Sequence, residues 1–418
     1  MRVVAKDLLR LATIGSVDDG KSTLIGRLLV DTRQLFDDQL DAVAAASEKR
    51  GVGDLDLSFV TDGLRAEREQ GITIDVAYRY ASTPTRKFII ADCPGHEQYT
   101  GNMATGASTA DLALVVLDVA HGLKEQSRRH LCIAALLGVR SIVVAVNKMD
   151  AVDWSEHAFS RVVDEVQTVS RQLGFTSVAI VPVSALLGDN VVTASPHIPW
   201  YEGPTLLEVL EASEAGAWEH TTTRGARLPI QWVLRQPGGR TYAGMVCGDT
   251  LRVGDRVTLL PANIETTITA INFGGQPIDE APVGLAADVA LADDTDAGRG
   301  DLIATAPLPR VVNELATTVC WFGDQPLVGG RRLRMKHTTK LTPVRAKTVN
   351  GVIDIERLDV DESRELSTNQ IGLVTLQIAD LLVVDEYRTN RVTGSFVLID
   401  EVTNATVAAG MVGHASFL

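Results

Sequence analysis

The sequence predicts an α/β domain with a doubly wound, mostly parallel sheet, followed by two antiparallel β-barrel domains. In the first half, short runs of nearly continuous Val, Ile and Leu alternate with segments of helical spacing, which is typical of strands buried on both faces of a parallel sheet. From about residue 222, short β-type runs separated by Gly, Asp and Pro replace this alternation and favour small barrels. The predicted domains are 1–222, 223–310 and 311–418.

Composition and charge limit the class of protein. A chain of 418 residues has room for about three domains at roughly 150 residues each. Its 45% hydrophobic and 22% charged residues are ordinary for a globular protein, and its net charge of −14 argues against a general nucleic-acid-binding surface. The 4 cysteines are far apart and lack metal-ligand spacing. With no signal peptide and no apolar stretch of about 20 residues, we expect a cytoplasmic protein.

Strands and helices of the first domain can be placed from their apolar runs. The helical stretch 155–173 has Phe159, Val162, Val166 and Val169 every three or four residues, which makes one apolar stripe. The predicted strands are 8–14, 87–92, 111–119, 141–147 and 178–184. A last helix is predicted to start at Gly203–Pro204–Thr205, with the proline in its first turn.

A phosphate-binding loop is predicted between the first strand and the first helix. The run G-S-V-D-D-G-K-S at 15–22 fits G-x-x-x-x-G-K-[ST], in which backbone N–H groups and the helix N-terminus surround phosphate oxygens. Lys21 would reach the β- and γ-phosphates, and the Ser22 hydroxyl would ligate Mg²⁺. A glycine-rich strand–helix turn is the alternative, and glycine frequency alone gives an accidental match of this length a chance on the order of one per cent. The predicted nucleotide contacts are Gly15, Ser16, Val17, Asp18, Asp19, Gly20, Lys21, Ser22 and Thr23.

Two later loops indicate guanine rather than adenine. After an apolar strand comes N-K-M-D, in which Asp150 can accept from N1–H and the N2 amine of guanine, a donor pair that adenine lacks. Asn147 would brace the site, and the stem of Lys148 can lie over the base. At the end of the next strand, a backbone N–H of S-A-L can meet guanine O6. A polar turn is the alternative for N-K-M-D taken alone. The predicted base contacts are Asn147, Lys148, Met149, Asp150, Ser184, Ala185 and Leu186.

The run D-C-P-G-H ends the strand 87–92 and supplies the predicted hydrolytic groups. Asp92 would hold Mg²⁺ through water, the Gly95 N–H would contact the γ-phosphate, and His96 would orient the attacking water. A lone histidine is usually a surface or core residue, but this one lies beside the proposed phosphate. The predicted nucleotide-site residues here are Asp92, Cys93, Pro94, Gly95 and His96.

The segment E-Q-G-I-T-I-D at 69–75 supplies the last part of the predicted site. Thr73 could close on Mg²⁺ when the γ-phosphate is present and release it after hydrolysis. The polar stretch 32–70 fits a mobile effector region, and a plain solvated loop is the alternative. The predicted catalytic residues are Lys21, Thr73, Gly95 and His96. The predicted metal ligands are Ser22, Thr73 and Asp92.

Two strings in the second half have a structural explanation. R-R-L-R-M-K-H at 331–337 is locally basic and could touch RNA, but its alternation favours a strand with one charged face in solvent. R-G-D at 299–301 is interpreted as a barrel turn.

These residues together resemble the translation-factor GTPases. GSVDDGKS, REQGITID, DCPGHEQY, NKMD and SAL look like the nucleotide loops of that group, and GDTLRVGDRVTLLP looks like its second-domain barrel. Within the group, the chain is similar to the large GTPase subunits of sulfate adenylyltransferase, the CysN family. TDGLRAEREQGITIDVAYRY, NMATGASTADLALVVLDVAHG, WYEGPTLLEVLE and NRVTGSFVLIDEVTNATVAAGM carry this similarity. It covers residues 8–413.

The resemblance implies GTP and Mg²⁺ as cofactors and a smaller catalytic subunit (CysD) as the partner. That partner would hold ATP and sulfate and form adenylyl sulfate, while GTP hydrolysis drives the reaction. Some relatives carry a fused adenylyl-sulfate kinase, but a second G-x-x-x-x-G-K-[ST] is absent from the sequence, so kinase activity is not predicted. Asp19 stands where elongation factors usually have histidine, which favours the sulfate family, whereas VLRQPGGRTYAG is less typical of it. The alternatives are an elongation factor delivering aminoacyl-tRNA and a regulatory GTPase switch.

Overall fold

The computed structural model of the chain describes residues 7–34, 57, 73–214, 225–236 and 239–414. The chain divides into two compact units, Met1–Ala217 and Trp218–Ser416. Most of the predicted effector stretch and the predicted 222/223 boundary lie outside the described residues. Among those that are described, no helix has both the length and the apolar character of a membrane span.

The first unit is built on a six-stranded sheet in the order β2-β3-β1-β4-β5-β6. All neighbouring strands are parallel except β2, which runs antiparallel to β3. The strands are β1 (Asp7–Ile14), β2 (Ala77–Ser82), β3 (Arg86–Asp92), β4 (Leu112–Asp118), β5 (Ser141–Asn147) and β6 (Ser177–Pro182). The five predicted strands are confirmed. The edge strand β2 was not predicted, because its half-exposed alternation lacks a long apolar run.

Five α-helices and two short 3-10 helices are described in this unit. They are α1 (Lys21–Asp31), α2 (Thr100–Ser108), α3 (Glu125–Leu136), α4 (Glu156–Gln172) and α5 (Leu206–Ala212), with 3-10 helices at Glu97–Tyr99 and Met149–Val152. The prediction for α4 is confirmed, and its stripe residues Val162, Val166 and Val169 are buried.

The start of α5 corrects the sequence prediction. The helix begins at Leu206, and Thr205 is its N-cap, so Pro204 precedes the helix instead of occupying its first turn. The Thr205 hydroxyl accepts the Glu208 N–H at 3.3 Å, and the Glu208 carboxylate accepts the Thr205 N–H at 2.8 Å. This reciprocal capping box satisfies two backbone donors and fixes the start of the helix two residues after the proline.

The sheet order brings the predicted loops to one edge. All seven residues of β4 are buried in the middle of the sheet. Thr13 of β1 pairs with Asp92 of β3, and Asp118 of β4 pairs with Asn147 of β5. Because these strands are parallel, their carboxyl ends and the loops that follow them emerge together, which is where ligands bind in open α/β sheets.

The described part of the second unit contains two large antiparallel sheets and two two-stranded sheets, β10–β14 and β18–β22. In the first, the order is β7-β16-β11-β12-β15-β9-β8, β13 also pairs with β12, and an isolated bridge between Arg227 and Cys247 joins β7 to the segment after β9. Two short strands, β10 and β14, pair separately. The strands are β7 (Arg227–Pro229), β8 (Trp232–Gln236), β9 (Gly239–Met245), β10 (Leu251–Arg252), β11 (Arg256–Leu260), β12 (Ile264–Phe273), β13 (Gln276–Ile278), β14 (Glu280–Ala281), β15 (Ala286–Leu291) and β16 (Leu302–Ala304).

The second sheet of this unit closes into a six-stranded barrel. Its order is β19-β24-β25-β17-β23-β20, β20 pairs back with β19, and β21 extends it beyond β20. The buried Trp321 lies in the apolar cluster of this barrel. The strands are β17 (Arg310–Trp321), β18 (Leu327–Val328), β19 (Arg332–His337), β20 (Lys340–Asp354), β21 (Asp359–Asp361), β22 (Glu365–Leu366), β23 (Ile371–Val384), β24 (Ser395–Ile399) and β25 (Thr406–Val412). The predicted α/β domain followed by antiparallel barrels is therefore confirmed.

The two ambiguous strings take ordinary positions in the barrels. β19 alternates, with Leu333, Met335 and His337 buried and the intervening basic residues more exposed, as expected for a strand with one charged face. The stretch 299–301 forms a turn around Gly300, whose φ of 100° is in the left-handed region.

Candidate functional site

The loop between β1 and α1 depends on glycine where it meets its neighbours. A Cβ added to Gly15 would lie 2.4 Å from the carbonyl oxygen of Val116, and one added to Gly20 would lie 2.4 Å from Nδ2 of Asn147. Both glycines also have positive φ, 150° and 90°. Only glycine combines this conformation with so close an approach, so the loop is a tight cradle immediately before the α1 N-terminus.

Lys21 lies inside this cradle. Its side chain is buried, and Nζ donates to the carbonyl oxygens of Gly15 at 3.1 Å and Ser16 at 2.8 Å. Burial lowers the pKa of the ammonium, while the negative charges of Asp92 and Asp19 act in the opposite direction. An ammonium held among carbonyl oxygens and carboxylates is a fixed positive charge at the base of the loop.

The D-C-P-G loop approaches the same ammonium. A Cβ added to Gly95 would lie 2.4 Å from Nζ of Lys21, so this position accepts only glycine without displacing the lysine. Asp92 is buried at the end of β3. The thiol of Cys93 is fully buried and donates to the Ala91 carbonyl at 3.6 Å, and burial raises its pKa. The predicted contribution of Cys93 to the site is therefore limited to its backbone.

His96 follows directly and has a defined orientation. It caps the 3-10 helix Glu97–Tyr99, and its Nδ1 accepts the N–H of Gln98 at 3.3 Å. The imidazole is only partly buried. Because Nδ1 is an acceptor, the neutral ring carries its proton on Nε2, and that nitrogen is the one left to meet a ligand or water.

Thr73 and Ser22 complete the predicted metal-ligand set. Thr73 lies four residues before β2, and the segment after it is held by a hydrogen bond from Asn102 Nδ2 to the Ile74 carbonyl at 2.9 Å. Ser22 is the second residue of α1 and is partly buried. Within the described part of the chain, no group of three His, Cys, Asp or Glu side chains forms a separate metal site.

Asn147 connects the loops at the other end of the site. Its Nδ2 donates to the Asp19 carbonyl at 2.9 Å, and its Oδ1 accepts the N–H of Ala185 at 2.9 Å. One buried side chain therefore joins the phosphate loop to the S-A-L loop. The predicted bracing role of Asn147 matches this geometry. The Ala185 amide therefore already has an acceptor, whereas the prediction for the S-A-L loop names a backbone N–H without choosing one of its residues.

Asp150 presents an unsatisfied acceptor. Its Oδ1 is buried, and no donor among the described residues reaches it. A buried acceptor without a partner is unfavourable by about 1–3 kcal/mol and is uncommon in native proteins. The edge of guanine carries two N–H donors that could bond to this carboxylate, so Asp150 fits the base proposed for it.

Both parts of the chain are similar to known protein families. A family described as "Elongation factor Tu GTP binding domain" matches residues 6–215, and one described as "GTP-eEF1A C-terminal domain-like" matches residues 314–413. "Sulfate adenylyltransferase subunit 1" of Laribacter hongkongensis is 46% identical over 415 residues, covering 98% of this chain and 86% of the relative. The chain belongs to the sulfate adenylyltransferase subunit 1 family.

Other relatives of this family show the same extent of similarity. "Sulfate adenylyltransferase subunit 1" of Aeromonas hydrophila is 48% identical over 411 residues, covering 97% of this chain and 86% of the relative. "Bifunctional enzyme CysN/CysC" of Mycobacterium tuberculosis (strain ATCC 25618 / H37Rv) is 50% identical over 413 residues, covering 97% of this chain and 67% of the relative. The family resemblance predicted from the motifs is confirmed. The designation "subunit 1" implies that members of the family have a partner subunit.

One acidic residue of the site in this family member was not predicted from the sequence. Asp118, at the end of β4, receives Lys148 Nζ at 2.9 Å and the Ala120 N–H at 2.9 Å. Burial acts to raise the pKa of Asp118. The hydrogen bond from Lys148, the hydrogen bond from the Ala120 N–H and the charge of Lys148 outweigh it, so the pKa is lowered overall. Asp118 thereby holds the ammonium of Lys148. The backbone of Lys148 is left-handed, with φ 62°, and turns the chain within the N-K-M-D loop. Its position at a strand end beside Asn147 was the available signal.

Helix α3 was also missed as a support of the site. Lys124 Nζ lies 2.8 Å from Oδ1 of Asp19, and the hydroxyls of Ser127 and Ser16 lie 2.9 Å apart. These pairs are separated by 105 and 111 residues, so no local spacing could indicate them.

Proposed function

We propose that this chain binds GTP with Mg²⁺ at the described edge of the first unit and is the GTP-hydrolysing subunit of a sulfate adenylyltransferase. Its partner would be a small catalytic subunit (CysD) that joins sulfate to ATP. The observation that carries the nucleotide assignment is the buried, partnerless Oδ1 of Asp150 on the loop that Asn147 ties to the phosphate cradle. Family membership supports the coupled reaction.

The phosphates would lie in the glycine cradle. Backbone N–H groups of the phosphate loop and of the α1 N-terminus would donate to their oxygens, with Thr23 at the end of the loop. The buried ammonium of Lys21 would turn from the Gly15 and Ser16 carbonyls toward the β- and γ-phosphates. Because the ammonium is shielded from water, it would attract phosphate oxygens more strongly than the ammonium of an exposed lysine would.

Hydrolysis would use the hydroxyl, carboxylate, amide and imidazole groups that the motifs predict. Ser22, Thr73 and Asp92 would hold Mg²⁺, which supplies neutralisation of phosphate charge when bound. The Gly95 N–H would orient the γ-phosphate, and Nε2 of His96 would orient the water. Phosphoryl transfer needs positioning and charge stabilisation more than a strong base, so a hydrogen-bonding imidazole suffices.

The function of hydrolysis would be energetic coupling. Formation of adenylyl sulfate and pyrophosphate from ATP and sulfate is unfavourable, and GTP hydrolysis in the same complex would drive it forward. This chain would contribute the GTP reaction, and the partner would hold ATP and sulfate.

Reconstitution tests this function directly. We expect the chain, mixed with the small subunit, ATP, GTP and labelled sulfate, to form adenylyl sulfate in amounts that rise with GTP hydrolysed. Replacing GTP by a non-hydrolysable analogue should abolish the rise while leaving nucleotide binding intact. Equal yields with and without GTP would contradict the coupling function.

The same preparation separates the alternative functions. An elongation factor would protect aminoacyl-tRNA from hydrolysis in the presence of GTP and would show no effect on sulfate activation. A regulatory switch would hydrolyse GTP without either effect. The basic outer residues of β19 could contact RNA, but their alternation on a barrel strand favours a solvated face.

A further inference from the structure

A carboxylate is buried inside the phosphate loop. The Asp19 side chain is fully shielded from solvent. Its Oδ2 accepts the Ser16 N–H at 3.0 Å, and its Oδ1 accepts from Lys124 Nζ at 2.8 Å. The first contact braces the loop across three residues. The second ties it to the residue that immediately precedes α3.

The negative charge of Asp19 would repel the negatively charged phosphates of the proposed ligand. A polyphosphate brings several negative charges to the loop, and the Asp19 carboxylate is part of the same loop. In a water-poor site, two like charges repel far more strongly than they do in bulk water. Burial also raises the pKa of Asp19. The hydrogen bond and charge of Lys124, the charge of Lys21 and the hydrogen bond from the Ser16 N–H act in the opposite direction but do not outweigh burial. Lys21 is committed to the phosphates under the proposed function, so Lys124 is the cation left to offset Asp19.

We propose that Lys124 is a positioning residue that neutralises the buried Asp19 carboxylate, so that the phosphate loop keeps its shape and accepts the polyphosphate of GTP. The inference rests on the proposed function, since it presumes that the loop binds GTP. It adds a residue outside every nucleotide motif, at the N-cap of α3 and 105 residues further along the chain than Asp19.

The packing of α3 supports this role. One turn after Lys124, the Ser127 hydroxyl contacts the Ser16 hydroxyl at 2.9 Å, so the same helix face meets the loop twice. The Lys124 side chain is about one-third exposed, whereas the Asp19 side chain is not exposed at all. The pair therefore has a buried anion and a cation that reaches it from the rim, an arrangement in which loss of the cation leaves an uncompensated buried charge.

A charge-removal series tests the proposal. Lys124→Met keeps the aliphatic stem and removes the charge, Lys124→Arg keeps the charge, and Asp19→Asn with Lys124→Met removes both charges together. Affinities for GTP, GDP and guanosine are measured for each folded protein by titration calorimetry and by competition. Lys347→Met is the matched control, because Lys347 forms an exposed ion pair with Glu314 at 2.7 Å in the second unit.

The expected pattern follows the phosphate charge of the ligand. Lys124→Met should weaken GTP binding by about 10- to 100-fold, GDP binding by less and guanosine binding hardly at all, because only the phosphates lie close to the uncompensated charge of Asp19. Lys124→Arg should stay close to the wild type, and the double variant should recover to within about fivefold. The control should match the wild type.

Each outcome has a definite meaning. Equal weakening of GTP and guanosine by Lys124→Met would show a merely structural role and overturn the proposal. Failure of the double variant to recover affinity, or full GTP affinity in Lys124→Met, would overturn it as well. If the wild-type chain itself fails to bind GTP, the proposed function fails, and that result is distinct because it needs no variant.

Discussion

Asp150 illustrates what a single atom contributes to this site. Its Oδ1 is buried without a donor, while the neighbouring Asn147 has both of its polar atoms satisfied by protein groups. The two residues of one motif therefore have different roles. Asn147 holds loops together, and Asp150 is left to recognise a ligand.

Asp150→Asn should exchange one nucleotide preference for another. The amide replaces an acceptor by a donor, so we expect GTP affinity to fall by about 100-fold and xanthosine triphosphate, which presents an acceptor there, to bind better than GTP. Calorimetric titration of both nucleotides measures the change. Asp153→Asn, three residues further along and exposed, is the control. Unchanged selectivity in Asp150→Asn would refute the assignment of the base.

His96→Ala should separate binding from hydrolysis. The imidazole contacts Gln98 and lies 5.9 Å from the ring of Tyr99, so its removal leaves the phosphate loop untouched. We expect GTP affinity to change little and single-turnover hydrolysis to slow by about 100-fold. His157→Ala, at an exposed position on α4, should match the wild type. Undiminished hydrolysis in His96→Ala would exclude a water-positioning role.

At the scale of elements, helix α3 carries a buried histidine, His130, close to the site. His130 is fully buried, and its pKa is lowered to about 3, mainly by burial and further by the charges of Lys21 and Arg129. A histidine that is neutral when folded protonates more readily when unfolded. Stability is therefore complete above pH 6.5, the ordinary pKa, and is lost progressively as the pH falls toward 3.

The acid sensitivity of the first unit should depend on this histidine. Between pH 7 and pH 5 we expect its free energy of unfolding to fall by about 2 kcal/mol more in the wild type than in His130→Gln. Chemical unfolding at several pH values, followed by a signal from the first unit, measures the difference. His157→Gln should keep the wild-type slope. Parallel pH profiles for His130→Gln and the wild type would disprove the contribution of His130.

The capping box makes a second prediction at this scale. Thr205→Ala removes the acceptor for the Glu208 N–H and should lower the free energy of unfolding by about 1 kcal/mol. Thr168→Ala is the matched control, since Thr168 is exposed within α4 and its hydroxyl donates to the Asp164 carbonyl of the same helix at 2.9 Å. Equal stabilities of the two variants would count against the cap as the start signal of α5.

For the whole molecule, the two barrels of the second unit share a buried ion pair. Arg227 is 1% exposed and donates from Nε to Asp385 at 3.1 Å, while Nη1 donates to the Thr305 carbonyl at 2.9 Å. Asp385 also accepts from Thr393 at 2.6 Å. The apolar cluster Leu260, Leu302, Ala304 and Val383 likewise combines residues from both sheets. These contacts predict that the barrels unfold as one cooperative body.

Arg227→Met should break that cooperativity. It leaves the Asp385 carboxylate buried without its cation, which typically lowers stability by about 3–5 kcal/mol. We expect two calorimetric transitions for the second unit where the wild type gives one. Arg310→Met, which loses an exposed pair with Glu386, should retain a single transition. A single unshifted transition in Arg227→Met would contradict the prediction.

The sequence by itself determined the elements and loops that local patterns encode. Continuous apolar runs marked five parallel strands, and glycines at fixed spacing marked the cradle, because strand burial and left-handed turns impose requirements on neighbouring residues. The N-K-M-D and D-C-P-G-H strings were found at strand ends for the same reason. The motifs also carried the resemblance to the family that the comparisons later showed.

Tertiary structure alone decided which distant groups meet. The Lys124–Asp19 and Arg227–Asp385 pairs join residues 105 and 158 positions apart, and β2 is a strand only because β3 pairs with it. The free energy of such a contact depends on burial and on the geometry of separate elements, which no spacing within one segment encodes. Local chemistry therefore set the ligand-binding loops, and packing set the charges that surround them.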